Sequence, residues 1–176
     1  MAKTESIVLG GGCFWCLEAA YQMIRGVTKV TSGYAGGDDP KPNYYSVASG
    51  RTGHAEVVKV EFDPSIIKLE DILEVFFTIH DPTTLNRQSY DVGTEYRSII
   101  LYMDNEQKQI AEKSIKAVAA VWPNPIVTEL KPLDKFFEAE PEQQNYFKSN
   151  PERAYCQIII NPKLDKLRKK FAEKLV

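Results

Sequence analysis

The chain has 176 residues, 43% hydrophobic and 26% charged, with a formal net charge of -2; that is enough for one domain with a sizeable core. No basic excess points to nucleic acid and no acidic block to a disordered tail. No stretch approaches a membrane span and Met1 to Ser6 lacks the apolar run of a signal peptide, so a cytoplasmic, reducing setting is expected.

Along the chain, Ile7-Val8-Leu9 runs into Gly10-Gly11-Gly12, then Cys13, then good helix formers. This predicts strand 6–10, a tight turn and helix 14–24. A strand at 27–34, a turn-rich loop from 36 to 53 and an alternating strand at 55–62 follow. Leu69, Ile72, Leu73, Phe76 and Phe77 recur at helical spacing in a helix over 68–79, which stops before Asp81-Pro82. Next come a polar loop (81–94), a strand (96–102), a helix (105–120) with Ile110, Ser114, Ala117 and Val121 along its stripe, and a strand (126–131). The last third holds a short helix at 141–148, a strand-like run at 154–160 containing Cys156, and a basic helix over 162–175 with Leu164, Leu167, Phe171 and Leu175 on one face. No repeat or linker divides the chain. Crossover and hairpin-length connections mix, so the expected class is α+β on an open sheet.

Chemistry concentrates in a few positions. In a reducing setting Cys13, Cys16 and Cys156 read as catalytic, metal-binding or simply buried thiols, not as a disulfide scaffold. Cys13 sits where a helix begins, beside unpaired N–H groups and the positive end of the dipole. A thiol there is expected to lean towards thiolate, its pKa falling from about 8.5 into the range ~3.5–7.5. Phe14 and Trp15, ordinary core aromatics elsewhere, would here wall an apolar pocket. Cys16, one turn on, could pair with Cys13, ligate a metal or pack. In strand 55–62, Glu56 shares a face with Val58, Val60 and Phe62. A carboxyl on a core-facing row is either a satisfied structural group or an acid whose pKa burial has raised towards ~6–7. Tyr44, Tyr45 and Tyr96 read by default as amphipathic surface residues, Asp91 as a turn former, and His54 and His80 as hydrogen-bonded structural residues.

Several segments together carry a resemblance. Gly12-Cys13-Phe14-Trp15-Cys16-Leu17-Glu18, Gly33-Tyr34-Ala35-Gly36-Gly37, Gly53-His54-Ala55-Glu56-Val57, Asp81-Pro82-Thr83-Thr84, Asn86-Arg87-Gln88 and Asp91-Val92-Gly93-Thr94-Glu95-Tyr96-Arg97-Ser98 resemble, in order and spacing, the peptide methionine-sulfoxide reductases of type A. The resemblance covers roughly residues 6 to 160. It implies an α+β domain with a two-layer ferredoxin-like core, a mixed sheet and long surrounding loops. It also implies a thiol-dependent oxidoreductase of protein repair under oxidative stress. Such an enzyme reduces the S epimer of methionine sulfoxide, free or in proteins, without a metal or cofactor, and takes electrons from thioredoxin or a similar dithiol. Cys13 matches the nucleophile and Glu56 the acid that protonates the sulfoxide oxygen. Tyr44 and Tyr96 match the tyrosines that hydrogen-bond that oxygen, Asp91 a supporting residue of the substrate site, and Phe14 and Trp15 the pocket for the substrate's methyl group. A sulfenic acid on Cys13 must then meet a second thiol.

Many members of that family have glycine where this chain has Cys16, and many carry a second C-terminal cysteine missing here. Cys156 is the first candidate for resolving thiol, because the C-terminal segment 150–176 of the single domain 1–176 is expected to be mobile; Cys16 is the second. A monomer that binds neither nucleic acid nor membrane is expected. Two other enzymes fit the residues: a general thiol–disulfide oxidoreductase using Cys13 and Cys16, against which the bulky Phe14-Trp15 pair counts, and a hydrolase pairing Cys13 with His54. A zinc-stabilised interaction domain on the three cysteines and a histidine is a third alternative.

Overall fold

The computed structural model describes residues 3–176; the first two residues of the N-terminal stretch lie outside these. A six-stranded mixed sheet forms the centre, in the order β7-β6-β1-β3-β2-β8. Its strands are β1 (Glu5–Gly10), β2 (Val27–Ala35), β3 (Ala55–Phe62), β6 (Ile99–Tyr102), β7 (Glu129–Pro132) and β8 (Phe136–Glu138). Among the described residues only the β6–β7 pair is parallel. A separate hairpin joins β4 (Arg87–Gln88) to β5 (Asp91–Val92).

Period-two alternation decides which side chains meet the helices. From β1 and β3, Ile7, Leu9, Val58, Val60 and Phe62 enter the main core, together with Phe14, Leu17, Ile72, Leu73, Phe76, Leu164 and Leu167. These come from the helices α1 (Phe14–Tyr21), α3 (Leu69–Ile79) and α6 (Asn161–Lys170). On the opposite face Val8, Val57, Ile99 and Leu101 form a smaller cluster under Leu133 and Phe136. The class is α+β, as expected, and no helix among the described residues is long and apolar enough to cross a membrane.

Several elements differ from the sequence expectation. The loop from 36 to 53 contains α2 (Tyr44–Ala48), started by Asn43, whose side chain accepts from Ser46 N while Ser46 Oγ accepts from Asn43 N; this is a reciprocal cap. Helix α1 ends at Tyr21, and Ile24 bridges to Leu175 at the C-terminal end. Strand β6 starts only at Ile99, because Thr94–Tyr96 is a 3-10 turn. In α4 (Asn105–Ala119) the buried positions are Gln107 and Ala111; Val121, placed on the stripe from sequence, lies past the helix end and is exposed. The region of the expected helix 141–148 holds a 3-10 turn, Pro141–Gln143, and the single turn α5 (Tyr146–Ser149).

The main correction concerns residues 154–160, which are helical, not a strand. The π-helical turn Cys156–Ile160 runs directly into α6. Val- and Ile-like runs favour strands on a pleated surface, but here burial falls on Cys156, Ile160, Leu164, Leu167 and Phe171. That spacing of three and four continues the helical stripe through the whole segment.

Truncating a residue at the centre of the main core tests this packing. Phe76→Ala should lower stability by ~3–5 kcal/mol, whereas Val121→Ala should stay within ~0.5 kcal/mol. Urea unfolding midpoints at unchanged slope would read both; equal costs at the two positions would contradict the burial pattern.

Candidate active site

The glycine run is shaped by what surrounds it. Gly12 has φ +85°, and a Cβ there would come within 2.8 Å of the Gln88 side chain, while one on Gly11 would meet the His80 ring. Only glycine permits both the backbone angle and the close approach. The turn delivers Cys13 to the N-cap of α1, in extended conformation and without a side-chain cap bond. The first helical amide, Phe14 N–H, instead donates to Glu56 Oε1 at 3.1 Å. Glu56 reaches it from the second position of β3, in register opposite Tyr34 of β2, and is 1% exposed. Sheet register thus sets the carboxyl against the helix terminus that carries the thiol.

Burial dominates the electrostatics. It raises the Glu56 carboxyl to about 8; Asp91 and Glu95 add to this, and the Phe14 N–H opposes it. Near neutrality Glu56 is therefore largely protonated and can donate. Burial, then the Glu56 charge and the Cys16 thiol, push Cys13 well above the ordinary thiol range. This reverses the sequence expectation of a resting thiolate. A helix terminus contributes typically 0.3–1 kcal/mol, less than the desolvation of an anion held at 6% exposure, so the Trp15 N–H bonded to the thiol lowers it by less than burial raises it.

Around this pair stand four of the residues expected from sequence. Tyr44 opens α2 and Tyr96 closes the 3-10 turn. Burial raises both phenols, Tyr44 to about 12, and the next contributions are the charges of Glu56 and Cys13. Glu140 holds the Tyr44 backbone at 2.8 Å while accepting from the Tyr34 hydroxyl at 2.8 Å. Phe14 is fully buried against Tyr34. Trp15 is half-buried, with Tyr44 lying nearly parallel at 6.3 Å between ring centroids.

The C-terminal third supplies a cover that was not expected. Tyr146 stacks on Trp15 at 3.6 Å and Tyr155 meets it edge-on at 5.6 Å. The buried Glu18 of α1 fixes Tyr146 by accepting from the backbone N–H groups of Asn145 and Tyr146, and Gln143 accepts from the Trp15 indole. The Tyr155 hydroxyl donates to Asp91 Oδ2 at 2.7 Å and lies 3.7 Å from Cys16 Sγ. Tyr155 was missed because a tyrosine beside a cysteine carries no spacing signal of its own. Cys156, its neighbour, is fully buried in the main core, with no hydrogen bond to the other two thiols. A cavity of about 580 Å³ lined by Asp38, Ser46, Arg51 and Thr52 lies in the loop after β2 and holds none of these groups.

The hydrolase and zinc alternatives lose support. His54 directs one ring nitrogen at Gly37 N and the other at Asp39 O, leaving none for Cys13. His80 is lowered to about 4 by burial and bonded to Phe76 O and Ser98 Oγ. Among the described residues no group of three His, Cys, Asp or Glu could hold a metal ion. The raised Glu56 carboxyl makes a signed prediction. The folded state binds this proton more tightly than the unfolded chain, so the stabilising contribution is complete below pH 4.5 and lost as pH rises through about 8. Glu56→Gln should therefore gain stability relative to wild type as pH rises across that window, by melting temperature. Parallel stability curves for the two proteins would show that Glu56 is not desolvated.

The family model for peptide methionine sulfoxide reductase matches residues 5–175. The chain is 58% identical over 168 residues to the peptide methionine sulfoxide reductase MsrA of Pseudarthrobacter chlorophenolicus, covering 96% of this chain and 97% of that one. Among solved structures, it is similar to reduced Mxr1 of Saccharomyces cerevisiae, with a TM-score of 0.83 at 34% identity over 88% of this chain and 90% of that one. The same yeast protein in complex with Trx2 matches at a TM-score of 0.59 and 27% identity, over 82% of this chain and 85% of that one. A shared motif set, a full-length match and a common fold lead to one conclusion: this chain belongs to the peptide methionine sulfoxide reductase family.

Proposed function

We propose that this chain reduces the S epimer of methionine sulfoxide, free or in proteins, to methionine through a sulfenic acid on Cys13. The observation that carries the reading is the buried Glu56 carboxyl bonded to the amide of the helix terminus that bears the Cys13 thiol, in one cluster with Phe14 and Trp15. A sulfoxide oxygen leaves sulfur only when protonated. Glu56 gives its proton to that oxygen, with the Tyr44 and Tyr96 hydroxyls orienting it, while Cys13 attacks the sulfoxide sulfur. The proton lost by the thiol restores Glu56. Attack joins Cys13 Sγ to the substrate sulfur as the protonated oxygen leaves. The released water oxygen then attacks Cys13 Sγ, forming its S–O bond and giving up a proton, while the S–S bond breaks and methionine departs with the electron pair. Both reacting groups start and end protonated, which suits a site that disfavours charge. Phe14 and Trp15 receive the substrate's methyl group, and Asp91 supports the site from β5.

A second thiol then condenses with the sulfenic acid to give a disulfide and water, and thioredoxin or a similar dithiol reduces the disulfide; the thioredoxin complex of the yeast relative supports that partner. Cys16 comes first. The bond from Cys16 N–H to Cys13 O at 3.1 Å closes a tight turn, a geometry with Cα atoms under about 7 Å apart, within disulfide range. The second reading gives this task to Cys156. It requires the segment 150–176 to leave the core, and it is favoured by the exposure of residues 151–154, 157 and 158 around the buried thiol. The central strand order β6-β1-β3-β2, all antiparallel, supports reading the core as ferredoxin-like, with the whole chain one catalytic domain.

Turnover of separated epimers tests the reading. Cys13→Ser should abolish reduction of the S epimer, and the R epimer should not be a substrate. Glu56→Gln should slow the reaction by ~10²–10⁴-fold with substrate still bound, and should remove the fall in wild-type rate as pH rises through about 8. Of Cys16→Ser and Cys156→Ser, the variant lacking the resolving thiol should release about one methionine per enzyme and stall. Equal use of both epimers, or turnover by Cys13→Ser, would refute the proposal.

A further inference from the structure

Cys16 is joined to the substrate site by one side chain. The Tyr155 hydroxyl donates its single proton to Asp91 Oδ2 at 2.7 Å. The contact of 3.7 Å between Cys16 Sγ and the Tyr155 oxygen must then run from thiol to phenol, S–H to O–H to carboxylate. Trp15 holds the Tyr155 ring edge-on at 5.6 Å, so the hydroxyl is aimed by packing as well as by its acceptor. Cys16 is 3% exposed and burial raises its thiol; of the charged groups facing it, Lys163 from α6 favours the thiolate, while Asp91 and Glu56 oppose it. A buried thiol that must attack as a thiolate needs a base within reach.

We infer that Tyr155 and Asp91 form a proton relay that deprotonates Cys16 as it attacks the sulfenic acid on Cys13. This rests on the reading of Cys16 as the resolving thiol. The sulfur of Cys16 bonds to the sulfur of Cys13, whose S–O bond breaks. The departing hydroxide takes the proton of Glu56 and leaves as water. The proton of Cys16 passes to the Tyr155 oxygen as the Tyr155 proton passes to Asp91. Cys16 is oxidised from thiol to disulfide and Cys13 reduced from sulfenic acid to disulfide, so no outside oxidant enters. The relay links the two halves of the reaction, because Asp91 also borders the substrate site.

The test uses the full chain carrying Cys156→Ser, so that Cys16 is the only partner for Cys13, with and without Tyr155→Phe. One equivalent of free methionine (S)-sulfoxide is added, and samples are quenched by alkylation. Methionine release and the Cys13–Cys16 disulfide are followed separately by mass. Removing the hydroxyl should slow the disulfide step at least ~10-fold more than methionine release, as expected for loss of a positioned base. The deficit should shrink as pH rises, because hydroxide can then deprotonate Cys16 directly. Equal slowing of both steps, or a deficit independent of pH, would overturn the relay. If Cys16→Ser in the otherwise native chain turns over normally with thioredoxin, the assignment of Cys16 fails instead, without any change at Tyr155.

Discussion

The structure depends on the bond from the Phe14 amide to the Glu56 carboxyl. A helix terminus buried in a core must have its N–H groups satisfied, and a carboxyl buried at 1% exposure must either be paired or keep its proton. Each solves part of the other's problem. The solution is partial, because burial still raises the carboxyl to about 8. The result is a proton donor held against a thiol near neutral pH. That outcome needs β1, the three glycines, the start of α1 and the register of β3 to agree. A one-residue slip of β3 would turn Glu56 to the opposite face of the sheet.

The site is closed by chain that lies far away in sequence. Glu18, on the turn of α1 after Trp15, accepts from the Asn145 and Tyr146 amides and so places the Tyr146 ring on Trp15. Tyr155 and Asp91 complete the cover from the start of the C-terminal helical segment and from β5. Exclusion of water by these aromatics explains why desolvation leads for Glu56, Cys13 and Cys16 alike. It also means that the C-terminal segment has two duties: Leu164, Leu167 and Phe171 seal the main core while Tyr155 reaches the site.

Much of the fold was legible because its periodicities are local. The apolar run of β1, the alternation in β3 and the helical stripes of α3 and α6 depend on neighbouring residues alone. Reading failed where local preference and tertiary burial disagree. The isoleucines at 158–160 favour a strand taken by themselves, yet the burial of Cys156 and Ile160 continues the stripe of α6. The short helix α2 rests on a cap formed by Asn43 and Ser46, a signal easily lost in a turn-rich loop.

By itself the sequence determined the α+β class, the family through its ordered motifs, and the set from which the candidate site is drawn: Cys13, Phe14, Trp15, Cys16, Tyr44, Glu56, Asp91 and Tyr96. Only the tertiary structure decided the protonation of that site and the company each thiol keeps. A helix terminus read in isolation favours a thiolate, but desolvation depends on what lies over the sulfur. Part of the surroundings is Tyr146 stacked on Trp15 and Tyr155 beside Cys16, about 130 to 140 residues further along the chain. Likewise only folding put Cys16 beside Tyr155 and Cys156 inside the core, because which side chains face one another depends on helix packing between distant segments and not on their spacing.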